Sequence, residues 1–271
     1  MKKCCFIIPY FGKLPNYFQL FLKSCEYNPT FNWIVFTDDK TGFHYPDNVK
    51  RVEMSFQELR DLVQSKFDFP ISLERPYKLC DYKPAYGYIF SDFISGYKMW
   101  GHCDIDTLMG HLEDFITDRD IAIYDKMFTL GHMIIYKNTE ENNRLFMKDF
   151  RVSLYRESFT TDKITVFDEE GISNGININQ LFLDYGKKVY TVDHSLNINN
   201  NRNYITGIGA APGTGNTTST SNSYDTVLGM GASTTSNIYG VYDMNGGGDD
   251  YVMGVFASSS KPMSGAYMGN Y

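Results

Sequence analysis

The 271-residue chain lacks any long apolar run. A membrane-spanning helix needs about 18 or more consecutive apolar residues, so no transmembrane segment is expected. A basic run is missing as well. Lys and Arg number 25 against 32 Asp and Glu, for a net charge of −7. A nucleic-acid duplex demands a positive footprint, and no nucleic-acid partner is expected. Cysteines are few and odd in number, at Cys4, Cys5, Cys25, Cys80 and Cys103. They form no Cys-x-x-Cys pair and no Cys/His spacing suited to zinc. Buried free thiols in a reducing compartment are the simple account, which places the protein in the cytoplasm. The opening Met1-Lys2-Lys3-Cys4-Cys5-Phe6-Ile7-Ile8-Pro9 has too short an apolar run for a secretory signal, and Pro9 stops it. It reads as a first buried strand.

What is present is a globular composition. Hydrophobic residues make up 42% of the chain, enough for a core, and 21 Tyr and 20 Phe give an aromatic surplus. Such rings suit stacking on sugars, and an AT-rich genome gives the same surplus. The first 200 residues alternate strand and helix signals. Strands are expected at Phe6–Ile8, 33–36, 49–52, 97–104, 121–124, 133–136 and about 164–167. Helices are expected from Pro15 to about Tyr27, and from the capping box Ser55-Phe56-Gln57-Glu58 to about Lys66. Others run from Asp81 to Ser95, from Leu108 to Ile116, and from Thr139 to about Leu154. Strands separated by single helices predict an α/β fold with a mostly parallel sheet flanked by helices.

The segment Trp100-Gly101-His102-Cys103-Asp104-Ile105-Asp106 is the most informative. It sets two carboxylates, two residues apart, at the carboxyl end of a strand, where open α/β sheets bind their ligands. Asp104 and Asp106 can both reach one hard cation, Mn²⁺ or Mg²⁺, which takes oxygen ligands and keeps positions open for a diphosphate. A second pair, Asp118 and Asp120, precedes an apolar run instead and reads as a solvated turn.

Composition changes near Tyr204. From Ile205 onward there is one basic residue, Lys261, and 13 of the 23 glycines. The stretch after Gly209 reads as a Gly/Ser/Thr-rich, irregular linker. A boundary is placed at 203–206, giving residues 1–203 as one domain and 204–271 as a tail.

Four motifs carry a resemblance over about residues 1–200. They are Phe6 to Gly12, Trp33 to Asp39, Pro76 to Tyr86, and Trp100 to Asp106. In this order and spacing they resemble the bacterial glycosyltransferase-like family with the GT-A fold found in capsule and cell-wall polysaccharide loci. The resemblance implies a Rossmann-like mixed sheet and a nucleotide-sugar donor, a UDP-sugar first. The acceptor it implies is a glycan or a lipid-linked sugar, reached in the cytoplasm or at the inner face of the membrane. Pro9, Tyr10 and Phe11 would pack on the nucleotide, and Asp38 would meet the base or ribose. Asp81 and Lys83 would sit near the sugar and diphosphate, the lysine as a point charge for phosphate. Asp104 and Asp106 would hold the metal that stabilises the leaving group. For the carboxylate that takes the acceptor's proton, Asp168 and Glu169 are the candidates. Duller readings stand beside these: Asp38 as a turn residue, Asp81 as an N-cap, Lys83 as a solvated helix residue, and 168–171 as an acidic surface loop. Gly131 and His132 are candidate lining of the acceptor pocket. The tail around Asn237 to Gly247 is similar to a fragment of sulfatase-modifying-factor-like or pilin-like surface proteins.

Two other classes have their own requirements. A sugar nucleotidyltransferase needs a Gly-rich, Arg-containing loop after its first strand, where this chain has Pro9-Tyr10-Phe11-Gly12. A non-catalytic surface binding protein needs export. A transferase made inactive by its replaced C-terminus is the remaining alternative.

Overall fold

The structure is a computed structural model. It describes residues 2–148, 154–169 and 177–195, together with the backbone of 196–197, 206–208, 226–228 and 251–252. The chain divides into two compact units. One comprises Met1–Leu14, Pro29–Asp104 and Ile116–Asp193, and the other Pro15–Asn28, Ile105–Phe115 and His194–Tyr271. Of the composition boundary at 203–206, residues 203–205 lie outside the described residues.

In chain order the first half holds β1 (Lys2–Pro9), α1 (Phe18–Glu26), β2 (Phe31–Thr37), β3 (Val49–Glu53) and α2 (Phe56–Ser65). Short helical turns follow: α3 (Leu79–Tyr82), α4 (Tyr86–Ile89) and α5 (Ser91–Ile94). Then come β4 (Tyr97–Cys103), β5 (Thr107–Leu108), α6 (Asp118–Ile123), β6 (Lys126–Met127), β7 (Met133–Lys137) and α7 (Glu140–Asn143). The remainder has α8 (Leu154–Thr160), α9 (Ile178–Asp184), β8 (Val189–Tyr190), β9 (Leu196–Asn197), β10 (Thr206–Ile208), β11 (Thr226–Leu228) and β12 (Tyr251–Val252).

The first unit is built on a seven-stranded sheet in the order β3-β2-β1-β4-β7-β6-β8. β3, β2, β1 and β4 run parallel, and β7 lies antiparallel between β4 and β6. The expected mostly parallel sheet is therefore present. Cys4 to Ile8 of β1 and Trp33 to Phe36 of β2 are buried, as strands covered on both faces must be. β3, at one edge, carries Lys50, Arg51 and Glu53 beside Val49 and Val52; charges on an edge strand discourage further pairing. On one face, Ile7, Phe36, Trp100 and Tyr136 pack against α2, the α3–α5 turns, α8 and α9. Stacked rings tie neighbours within each layer, Tyr82 on Phe159 at 4.1 Å between helices and Trp100 on Tyr136 at 4.4 Å between strands, and Phe36 of β2 stacks on Phe90 of the helical layer at 4.7 Å. The Trp100 indole comes so close to α4 that a Cβ on Gly87 would lie 2.2 Å from it.

In the second unit β12 pairs parallel with β5 and antiparallel with β9, and β10 pairs with β11.

Several expected elements are corrected. The helix expected over 81–95 is a string of single turns, because Pro84 removes a backbone donor and Phe90 leaves the helical region at φ −104, ψ 26. The helix expected over 108–116 is β5 and one 3₁₀ turn. There Asn28 donates to the Gly110 carbonyl and accepts from the Leu112 amide, so these groups bond out of the segment. The strand expected over 121–124 is α6, started by a Thr117/Asp120 capping box that the apolar run concealed. Asp118 and Asp120 thus open a helix rather than precede a strand. The strand expected over 164–167 is a loop, with Val166 at φ 54. The helix expected from Thr139 is cut after α7 by a 3₁₀ turn, Leu145–Met147.

Candidate functional site

The site forms at the carboxyl end of β4, within the first unit. Asp104 directly follows the strand, and its amide donates to the His132 carbonyl at 2.9 Å, adding one rung to the β4–β7 ladder. Lys83 arrives from the turn after α3. Its ammonium lies 3.0 Å from Asp104 Oδ1 and 3.3 Å from Asp168 Oδ2, and it donates to the Gly131 carbonyl at 2.9 Å. One cation thus joins two carboxylates that lie 64 residues apart in the chain. Asp104 is 40% exposed at its side chain, whereas Asp168 is 3% exposed.

The electrostatics follow from this arrangement. Burial alone would depress the Lys83 ammonium, but Asp104 and Asp168 outweigh it and hold its pKa well above the ordinary value. Burial raises the Asp168 carboxyl to about 6; Lys83 opposes this, while Glu169 and Asp104 add to it. Burial also keeps the His132 and His102 imidazoles below their usual range.

Gly131 is the hinge pin of the cluster. Its amide donates to Glu169 Oε2 at 2.5 Å while its carbonyl accepts from Lys83. A Cβ there would stand 2.7 Å from Asp168 Oδ2 and 2.8 Å from the Glu169 carboxyl carbon. Only a glycine lets both carboxylates approach so closely without displacement. The segment leading to Gly131 is fixed in turn. The buried Lys126 amine donates to the Phe128 carbonyl at 2.5 Å and to Asn179 Oδ1, and Asn179 donates to Thr129 O at 3.0 Å.

The loop that carries Asp168 is held from beneath by Asp81. Asp81 is fully buried, pairs with the equally buried Lys78 at 2.6 Å, and accepts from the amides of Thr165 at 3.0 Å and Phe167 at 3.3 Å. Lys78 also donates to the Lys163 carbonyl at 2.5 Å. Asp81 therefore does not cap α3, whose N-cap position is Lys78. It shapes the 163–167 loop instead.

The structure brings four of the expected site residues together: Lys83, Asp104, Asp168 and Glu169. Asp106 is half-buried and falls in the segment that starts the second unit's Ile105–Phe115 stretch. After β1 and β2, the exposed Asp38 accepts from the Gly12 amide at 2.8 Å, and Asp39 accepts from Leu14 at 2.5 Å. These bonds close the Pro9–Leu14 loop onto the end of β2. Pro9 and Tyr10 stay half-buried, while Phe11 turns into the core and packs on Phe56 at 5.4 Å. Sequence reasoning missed Lys78 and Lys126, which look like ordinary surface lysines in one dimension. It gave Gly131 only a lining role. Glu170 and Gly171 of the expected acidic loop lie outside the described residues.

The donors on offer are carboxylate oxygens and one ammonium. Among the described residues, no cluster of three or more His, Cys, Asp or Glu side chains is placed to enclose a metal by itself. A partly exposed carboxylate such as Asp104 suits the mode in which Mg²⁺ or Mn²⁺ takes one or two protein oxygens and completes its shell with phosphate and water. No helix among the described residues is long and apolar enough to cross a membrane.

The class that emerges is a mixed α/β protein with an acidic, lysine-bridged site at the carboxyl end of its parallel strands. The profile of a family of unknown function, DUF6625, matches residues 6–225, and the chain belongs to that family. The match runs past the compositional change at 203–206. No curated protein matches the chain.

Proposed function

We propose that the protein is a metal-dependent glycosyltransferase, moving a sugar from a nucleotide-sugar donor to a glycan or lipid-linked acceptor of the bacterial surface. The observation that supports this most is the Asp104–Lys83–Asp168 arrangement after β4. A lone ammonium between two carboxylates gives an incoming diphosphate a point charge to engage. Asp104 supplies a hard oxygen ligand within the first unit, and Asp106 is the second ligand that the sequence motif suggests. A Mn²⁺ or Mg²⁺ ion bound there contributes positive charge for a leaving nucleoside diphosphate.

Asp168 is the better of the two candidate bases. Glu169 is committed to the Gly131 amide, whereas Asp168 has a pKa of about 6, near the operating range a general base requires. In transfer, the acceptor oxygen forms its bond to the anomeric carbon as Asp168 takes the hydroxyl proton. The bond to the diphosphate breaks, and its electron pair leaves with the phosphate oxygen. The loop from Pro9 to Gly12, tied to Asp38, is the proposed wall for the nucleotide.

The test uses Asp104→Asn and Asp106→Asn. Both variants are expected to keep the far-ultraviolet circular dichroism of the parent and to lose metal-dependent nucleotide binding. Unfolding of both would mark the pair as structural. Unchanged binding in a folded Asp104→Asn would contradict the proposal.

A further inference from the structure

The Lys83 ammonium is already fully engaged. An ammonium has three N–H donors, and Lys83 meets three oxygens: Gly131 O at 2.9 Å, Asp104 Oδ1 at 3.0 Å and Asp168 Oδ2 at 3.3 Å. Its backbone has little freedom. Pro84, the next residue, is buried. The buried Tyr86 hydroxyl donates to the Leu79 carbonyl at 3.0 Å, which ties together the turn that carries Lys83. Any change of partner must therefore come from the side chain, with its flexible four-carbon stem.

The two carboxylates differ in what can reach them. Asp168 is closed off from solvent, whereas Asp104 is open to it. Exchange of partners is therefore confined to Asp104. A Mn²⁺ or Mg²⁺ ion holds a carboxylate oxygen at about 2.1 Å. On Asp104 Oδ1 it would stand within about 5 Å of the ammonium, and two cations so close repel. A diphosphate relieves that repulsion, because its oxygens both ligate the metal and accept from a lysine.

We propose that Lys83 is a resident counter-cation that makes Asp104 selective for a metal–diphosphate complex over the bare metal. Without an anion, the ammonium holds Asp104 and weakens metal uptake. When the diphosphate arrives, the ammonium passes from Asp104 to a phosphate oxygen and stays paired with Asp168. The Asp104 carboxylate is then left to the metal. No covalent bond changes. The inference rests on the nucleotide-sugar reading for the identity of its anion.

The experiment compares the intact parent protein with Lys83→Gln and Lys83→Met, each checked for folding by circular dichroism. Electron paramagnetic resonance measures the binding of Mn²⁺ alone, and calorimetry measures UDP and GDP binding with Mn²⁺ present. The parent is expected to bind Mn²⁺ alone no tighter than about 1 mM. Both variants should bind it at least about tenfold more tightly, and bind the nucleotide at least about tenfold less tightly. A lysine that only props up the turn would weaken both kinds of binding on removal. Two results would overturn the proposal. One is micromolar Mn²⁺ binding by the parent without nucleotide, which decides the matter even if neither variant folds. The other is a folded variant that takes Mn²⁺ no more tightly than the parent. Tighter Mn²⁺ binding in the variants, with neither nucleotide bound by the parent, would sink the transferase reading and leave the counter-cation standing.

Discussion

Asp168 sits where burial and a single lysine compete. The carboxyl holds its proton to about pH 6, against an ordinary value of 3.8. Between these values the folded chain binds more protons than the unfolded chain. Its contribution is thus present below the unfolded value and is lost as pH rises through 6, by up to ~3 kcal/mol. Urea denaturation of the metal-free protein should show this fall, and Asp168→Asn should flatten it. If Asp168 is the base, log kcat/KM rises with pH and levels off above about 6. Lys83→Ala leaves the buried Asp168 without its cation, and we expect a loss of ~2–4 kcal/mol by the same method, together with loss of nucleotide binding. Gly131→Ala should cost ~1–3 kcal/mol, because the new methyl group meets Asp168 and Glu169. At this scale Asp104 was legible from its place after a strand, whereas Lys83, Asp168 and Glu169 came from the family resemblance. Neither revealed that Asp81 would turn inward. That depends on Thr165 and Phe167, whose amides reach Asp81 across more than 80 residues.

Among the elements, strands buried on both faces were the most legible. β1 and β2 announce themselves as apolar runs, and α2 through a capping box that the structure retains. Short helices were not. Ile121-Ala122-Ile123-Tyr124 has the composition of a strand, but only Ile121 is buried, and the Thr117 cap decides the outcome. Removing that cap with Thr117→Val should lower stability by ~1 kcal/mol in thermal or urea unfolding. The helix inferred from Asp81 to Ser95 is broken into single turns at Pro84 and Phe90. Gly87→Ala should be destabilising by ~1–3 kcal/mol, since its Cβ would meet the Trp100 ring.

Across the whole molecule, the site chemistry gathers at one end of the parallel sheet. The carboxyl end brings together Lys83, Asp104 and Asp168. Composition divides the chain once, near residue 204, because it is read in order along one dimension. The compact units interleave three segments each, an arrangement that contacts distant in sequence create and that no local composition can display. The family match, which extends to residue 225, includes the start of the Gly-rich region. The carboxyl end is the proposed place of sugar transfer. This is tested most directly by calorimetric titration of UDP, GDP and CMP into the intact protein, with and without Mn²⁺. Binding of one nucleotide is expected, requiring the metal and lost in Asp104→Asn. Absence of binding to all three, with the metal present and the protein folded, would contradict it.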